Sequence, residues 1–276
     1  MVVFPNAKIN LGLNVLSKRP DGFHNIESVF YPIDWCDVLE ILENPNWKKN
    51  EDKITLRSSG IPIAGNSSDN LITKVYNSLS HVVSLPPIEV HLHKVIPMGA
   101  GLGGGSSDAA FFLRLINEKF ELNLSTDLQI NLLSHLGSDC PFFYWNKPSF
   151  AKERGNILTP FDLSLKGLKI FVVYPGIHSN TAEAYHSIKP HFPEIGIDSI
   201  LKMPIHDWKN LLINDFEHGL FLKYPDLLEW KNRLYESGAL YASMTGSGST
   251  IFGIFENDTP DFSIKENEIF WRGTLS

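Results

Sequence analysis

The stretch most able to do chemistry is Pro97-Met-Gly-Ala-Gly-Leu-Gly-Gly-Gly-Ser-Ser-Asp108, with five glycines in the seven positions from Gly99 to Gly105. Glycine loses more backbone freedom on ordering than any other residue, so this density needs a reason. The usual one is that backbone N–H groups must reach a bulky anion, with a helix N-terminus behind them adding positive potential. Phosphate is the first candidate.

Other residues stand out by type and spacing. Lys8 and Asn10 share one face of an alternating run, roughly 7 Å apart, and spacing alone reads that face as the solvated side of a half-buried strand. His91 and His93 also share a strand face, but with no third ligand nearby they read as open-face histidines rather than a metal pair. Asp139, in Gly137-Ser-Asp-Cys-Pro141, reads by spacing as a cap for a short turn with Pro141 in its first positions. Cys140 reads as a small buried filler.

The elements that must position these residues follow from periodicity. Ile9, Leu11, Leu13 and Val15 alternate with Lys8, Asn10, Gly12 and Asn14, so Lys8 to Leu16 is a strand. A turn on Pro20, Asp21 and Gly22 leads to a second strand, 25–33. Strands are expected at 37–42 and 53–57, then a helix from Asn70 to Val82 capped by Ser68 or Asp69. The strand 88–95 feeds the glycine stretch. A helix from Ala109 to Phe120 follows it, with Ala109, Phe112, Leu113, Ile116 and Phe120 on its core face. Ser125 or Thr126 starts another helix, ending at Gly137 as a left-handed terminal glycine. Pro148, Gly155 and Pro160 punctuate a polar connection from Asn146 to Leu165, where we place a domain boundary. Beyond it come a strand (168–174), helices at 205–222 and 225–237, and a strand–turn–strand from Ala239 to Phe255 around Thr245-Gly-Ser-Gly-Ser249. A last strand covers 269–271. The expectation is an α+β chain with domains at 1–160 and 161–276.

The bulk properties exclude several classes. The chain has 276 residues, 43% hydrophobic and 20% charged, with a formal net charge of −7. That acidity argues against a nucleic-acid coat or an anionic membrane partner. Two cysteines, Cys36 and Cys140, give no disulfide framework and suit a reducing compartment. With no basic-then-apolar leader and no stretch long enough to span a bilayer, the expected location is the cytoplasm. The oligomeric state is not legible.

Three phosphate-loop types compete for Gly99–Ser107. A Walker loop needs Lys and then Ser or Thr after its last glycine, and Gly105 is followed by Ser106. A dinucleotide fingerprint fits Gly99, Gly101 and Gly104 formally, but it wants a strand ending in an acidic residue about twenty residues on. The chain there reads as turn and helix. The third type, a Pro-x-x-x-Gly-Leu-Gly-x-x-x-Ser-like loop, resembles the ATP loop of the galactokinase–homoserine kinase–mevalonate kinase–phosphomevalonate kinase superfamily. Pro5-Asn-Ala-Lys-Ile-Asn-Leu11 and Thr245-Gly-Ser-Gly-Ser-Thr-Ile-Phe252 resemble its other two motifs, in the right order. Together with Lys18-Arg-Pro-Asp-Gly-Phe-His24 and Gly137-Ser-Asp-Cys-Pro141, they are most similar to the branch that phosphorylates the 2-hydroxyl of 4-diphosphocytidyl-2-C-methyl-D-erythritol in the non-mevalonate isoprenoid pathway.

The resemblance implies a ribosomal-protein-like N-terminal α/β domain and a ferredoxin-like C-terminal domain, with the active site in the cleft between them. It implies ATP held by Pro97, Met98, Gly99, Ala100, Gly101, Leu102, Gly103, Gly104, Gly105, Ser106 and Ser107, with Lys94 and Asn70 at the adenine. It implies Mg2+ on the phosphates, with Ser106 as a hydroxyl contact. Asp139 is implied as the group taking the acceptor hydroxyl's proton, and Lys8 as the cation that stabilises developing charge and keeps Asp139 ionised. The small-molecule cytidyl-diphosphate partner is implied to meet His24 and Tyr185 at its base, Asn10 at its erythritol or phosphates, and Thr181 on the substrate side. Phe23 stands where that branch commonly has tyrosine, and Asn6, Ser138 and Cys140 are unusual neighbours of the implied catalytic pair. A mevalonate- or homoserine-type kinase, a dinucleotide oxidoreductase and a nucleotide-binding regulator without catalysis are the alternatives.

Overall fold

The computed structural model describes every residue except Asn50 and Ser187. In chain order the strands are β1 (Val2–Val3), β2 (Asn6–Lys18), β3 (His24–Cys36), β4 (Val38–Glu43), β5 (Ile54–Gly60), β6 (Ile88–Lys94), β7 (Ser149–Glu153), β8 (Ile157–Pro160), β9 (Lys169–Tyr174), β10 (Tyr241–Met244), β11 (Ile251–Phe255) and β12 (Ile269–Thr274). The α-helices are α1 (Leu71–Ser80), α2 (Gly104–Lys119), α3 (Thr126–Leu136), α4 (Cys140–Trp145), α5 (Thr181–His186), α6 (Ile197–Ile200), α7 (Phe216–Lys223) and α8 (Pro225–Glu236). No helix of the described residues is long and apolar enough to cross a membrane.

Packing groups the chain into two compact units of three segments each. Each unit draws on separated stretches of the chain. The first unit holds Met1–Ala7, Trp35–Met98 and Gly103–Asn146. Its sheet has the order β1-β4-β6-β5, with β4 antiparallel and β5 parallel to the central β6. Helix α2 packs against α1 and α4, burying Ala109, Phe112, Leu113 and Ile116 as its period dictates.

The second unit holds Lys8–Asp34, Gly99–Leu102 and Lys147–Ser276. One of its sheets runs β2-β3-β7-β8 and the other β10-β11-β9-β12, the second antiparallel throughout. Helix α8 lies on β10 and β11, burying Leu227, Trp230 and Leu234.

Several elements differ from expectation, each for a local reason. The polar face of β2 is not solvated: Lys8, Asn10 and Asn14 are 3%, 2% and 6% exposed. Helix α1 is capped by Asn70, whose side chain accepts the Ile72 N–H, not by Ser68 or Asp69. Helix α2 starts five residues early, at Gly104, because left-handed Gly103 (φ 73°) turns the chain and its carbonyl accepts the Ser107 N–H at 2.9 Å. Gly137 ends α3 in an extended conformation, so it is not a left-handed stop. The expected connection 146–165 contains the antiparallel hairpin β7–β8. The expected helix 205–222 is a 3-10 turn (Ile205–Asn210) and α7, because β2 takes the intervening backbone: Leu13 N–H donates to Ile213 O and Asp215 N–H to Leu13 O, both at 2.9 Å.

At the end of β6 the first unit buries a charge. Lys94 is fully buried, its ammonium paired with Asp37 and with Asp108 Oδ2 at 2.8 Å. Asp37 Oδ1 also accepts the Val95 and Ile96 N–H groups at 2.6 and 2.9 Å. The chain is therefore pinned as it leaves β6 for the glycine stretch, and pinned again at Asp108 in α2. Burial alone would pull Lys94 down, but the Asp108 and Asp37 carboxylates outweigh it and hold the ammonium above its ordinary value. Burial pushes the Asp108 carboxyl up, against the pull of Lys94. Removing one partner of such a set strands the others. Lys94→Met is expected to destabilise the chain by about 3–5 kcal/mol, read as a fall in the urea midpoint at unchanged slope.

Candidate active site

The glycine stretch alternates buried and open positions: Pro97, Ala100, Leu102, Gly104 and Ser107 are buried, while Met98 and Gly99 are exposed and Gly101, Gly103, Gly105 and Ser106 lie between. The buried residues anchor a loop whose other backbone faces outward. Gly101 has φ +83°, and a Cβ there would lie 2.1 Å from the Thr245 carbonyl oxygen. No side chain fits that approach. Gly104 opens α2 directly over the buried charge, where an added Cβ would meet Ile96 Cγ2 at 2.9 Å and Lys94 Nζ at 3.1 Å. Gly105, Ser106 and Ser107 complete the first turn, so the unpaired N–H groups of a sixteen-residue helix start inside the loop. The fully buried Ser107 Oγ has no hydrogen-bond partner among the described residues. The dinucleotide reading fails here, since α2 leads into α3 and α4 rather than a strand.

The turn carrying Asp139 packs beside that first helical turn, in the same unit. A Cβ on Gly137 would sit 3.2 Å from Cys140 Sγ and 3.8 Å from Ser106 Oγ. Asp139 stands at the start of α4 with Pro141 in the first positions, yet its side chain makes no capping hydrogen bond. The carboxylate is half-buried and not consumed as a cap. Burial pushes the Cys140 thiol up to about 11, so it is no nucleophile at neutral pH.

In the second unit, Lys8 Nζ donates to Asn10 Oδ1 at 2.5 Å and lies 4.8 Å from the centre of the Phe30 ring. The Lys8 N–H donates to Leu102 O at 3.0 Å, so β2 and the glycine stretch are joined main chain to main chain. Both ends of the Asn10 amide are engaged, Oδ1 by Lys8 and Thr245 and Nδ2 by Ser28.

His24, at the start of β3, stacks on Tyr185 of α5 with ring centres 4.6 Å apart and planes within 9°. Tyr185 is braced edge-on by Phe216 at 4.8 Å. Burial, together with the nearby positive charge of Lys18 and His186, holds the His24 imidazole below its ordinary value. A neutral imidazole offers one donor and one acceptor, which reading a base edge requires. Phe23 is 53% exposed with the Arg154 guanidinium 4.8 Å above its ring. Thr181 opens α5, its hydroxyl 2.9 Å from Ser247 Oγ, and Asn180 accepts the Ala182 and Glu183 N–H groups to start that helix.

Thus Lys94, Asn70, Ser106, Ser107 and Asp139 lie in the first unit, and Lys8, Asn10, His24, Thr181 and Tyr185 in the second. Sequence reasoning gave no role to Thr245, Ser28, Asp37 or Asp108. Thr245 carried a signal, its place in the C-terminal glycine motif. Asp37 carried none, because only the fold brings it to Lys94. Among the described residues no group of three or more His, Cys, Asp and Glu could hold a metal.

This combination of glycine loop, buried strand lysine and C-terminal glycine turn defines a small-molecule kinase. The model of the GHMP kinases N terminal domain matches residues 70–147, and that of the GHMP kinases C terminal region matches 202–267. The 4-diphosphocytidyl-2-C-methyl-D-erythritol kinase of Bacteroides thetaiotaomicron is 50% identical over the whole of both chains, and that of Parabacteroides distasonis 46%. A crystal structure of 4-(cytidine 5'-diphospho)-2C-methyl-D-erythritol kinase superposes with a TM-score of 0.77 at 29% identity, over 92% of this chain and 90% of that one. The Methanococcus jannaschii mevalonate kinase shares the fold alone, with a TM-score of 0.67 at 16% identity over 92% and 90% of the two chains. The chain belongs to the 4-diphosphocytidyl-2-C-methyl-D-erythritol kinase family. The expected two-domain α+β kinase fold is borne out.

The state of His24 is directly measurable. Because burial and the neighbouring positive charges depress its folded value, the imidazole should take up its proton at lower pH than an ordinary histidine. An NMR titration of the ring protons with a midpoint above 6.5 would contradict this.

Proposed function

We propose that this chain transfers the γ-phosphoryl group of ATP to the 2-hydroxyl of 4-diphosphocytidyl-2-C-methyl-D-erythritol, in the non-mevalonate isoprenoid pathway. The observation that carries the reading is the 50% identity to a kinase of that name over the full length of both chains.

Phosphoryl transfer demands a cradle for the triphosphate, stabilisation of developing charge, and a group to receive the acceptor's proton. The open backbone of Gly99–Gly105 and the start of α2 supply the cradle, and Asn70 and Lys94 flank the adenine end. Lys94 is fully buried with its ammonium held by Asp37 and Asp108, so it supports that end from beneath rather than meeting the base. Asp139 takes the proton from the 2-hydroxyl as that oxygen bonds to Pγ and the bond from Pγ to the β–γ bridging oxygen breaks. ADP leaves with the bridging oxygen's electron pair. Lys8 stabilises the negative charge that grows on the transferring oxygens.

Magnesium prefers oxygen ligands and keeps several waters. The half-buried Ser106 hydroxyl beside the loop, with no carboxylate cage among the described residues, suits a metal that arrives on the phosphates. Bound there, it would neutralise phosphate charge. His24 and Tyr185 receive the cytosine, which parts the stacked rings or extends their stack. Thr181 lies on the side of the substrate's phosphates. A mevalonate- or homoserine-type kinase has no base to read and gives no use to this ring pair.

A coupled ADP-release assay comparing the cytidyl compound with mevalonate and homoserine should give turnover with the first alone. Asp139→Asn should lower kcat by about 10²–10⁴-fold while ATP affinity stays near that of the parent chain. Turnover retained in this variant would remove Asp139 from the reaction.

A further inference from the structure

The Asn10 amide that receives Lys8 is itself held by a residue to which no role has been given. Thr245 is fully buried. Its Oγ1 accepts the Asn10 N–H at 3.0 Å and lies 3.1 Å from both Asn10 Oδ1 and Gly101 O. A hydroxyl has one proton, so Thr245 has two acceptors in reach and can satisfy one at a time. On the other side, Asn10 Nδ2 donates to Ser28 Oγ at 2.8 Å, and Ser28 donates onward to Gly12 O at 2.6 Å. The amide cannot turn over, because that would aim its NH2 donors at the Lys8 ammonium. The chain from Gly12 O through Ser28, Asn10 and Thr245 to Gly101 O thus fixes the acceptor that aims Lys8. Every link lies in the second unit.

We propose that Thr245 is a positioning residue for phosphoryl transfer. Its oxygen accepts the Asn10 backbone N–H, and its one proton goes in turn to Asn10 Oδ1, the acceptor that orients the Lys8 ammonium, and to Gly101 O in the glycine loop. The proposal rests on the reading of Lys8 as the charge-stabilising group. It makes Asn10 an aligner of Lys8 as well as a neighbour of the substrate. The backbone around Thr245 is held without the hydroxyl: its N–H donates to Thr250 O at 2.9 Å, and its carbonyl accepts the Gly248 N–H at 3.1 Å. Asn214 Nδ2 grips Met244 O and Gly246 O on either side, at 2.7 and 2.9 Å. A nearly isosteric replacement therefore removes the hydroxyl and little else.

Thr245→Val should lower kcat about 10–100-fold, with KM for ATP and for the cytidyl substrate within about threefold of the parent. Thr245→Ser should recover most of kcat. A Thr245→Val enzyme with parental kcat per folded molecule, whatever its melting temperature or KM, would overturn the proposal. So would a Thr245→Ser enzyme as slow as the valine variant. Should Thr245→Val not fold, Ser28→Ala cuts the opposite anchor of the same amide, and an unchanged kcat there would be equally fatal. If the parent chain uses mevalonate or homoserine in place of the cytidyl compound, the substrate reading fails, and the same kcat comparison made with that acceptor still decides the role of Thr245.

Discussion

A buried ammonium has no tolerable state except paired, and Lys94 is the last residue of β6 before the glycine loop. Its two carboxylates come from the β3–β4 junction and from α2, so satisfying one charge fixes three pieces of backbone together. Asp37 extends the constraint by accepting the next two backbone N–H groups. The glycine stretch is sparse in side chains, but it is not slack: its two ends are anchored by one buried charge set whose members are costly to leave unpaired. Such a device suits a loop proposed to hold bare N–H groups against a triphosphate without itself folding onto a core.

The second unit solves a different problem, aiming a cation with neutral groups. Lys8 meets an amide, and the amide meets two hydroxyls. A neutral acceptor such as the Asn10 amide fixes the direction of an ammonium by geometry. Within their units, Lys94 meets two carboxylates and ties elements together, while the Lys8 ammonium is held in direction by an amide oxygen.

Much of this was legible in the residues. The alternation of Ile9, Leu11, Leu13 and Val15 marked β2, the glycine run marked the loop, and the three ordered motifs pointed to the kinase superfamily that the comparisons bear out. What was not legible has a common cause: a period reports which faces differ, not what covers them. Lys8 and Asn10 looked solvated because nothing in β2 announces that Thr245, more than two hundred residues on, closes over them. The helix expected at 205–222 was reasonable by local pattern and broke because Leu13 claims its middle. Asn70 became a cap and α2 started early for reasons of single dihedrals, which composition does not fix.

The interleaving of the two units has a consequence for how the protein is made. Strand β3 pairs with β7, and β2 takes bonds from Leu13 to residues 213 and 215. Most of those partners emerge from the ribosome more than a hundred residues later, an interval on the order of 10 s at ordinary synthesis rates. During that time β2 has β3 beside it but not β7 and β8, so the apolar face of the nascent hairpin lacks the rest of its sheet and the N-terminal half is a natural client for a chaperone. A cut between β8 and β9 would leave every sheet whole, yet it would part Leu13 from residues 213 and 215 and Asn10 from Thr245, which leaves this enzyme poorly suited to being split into halves that fold on their own.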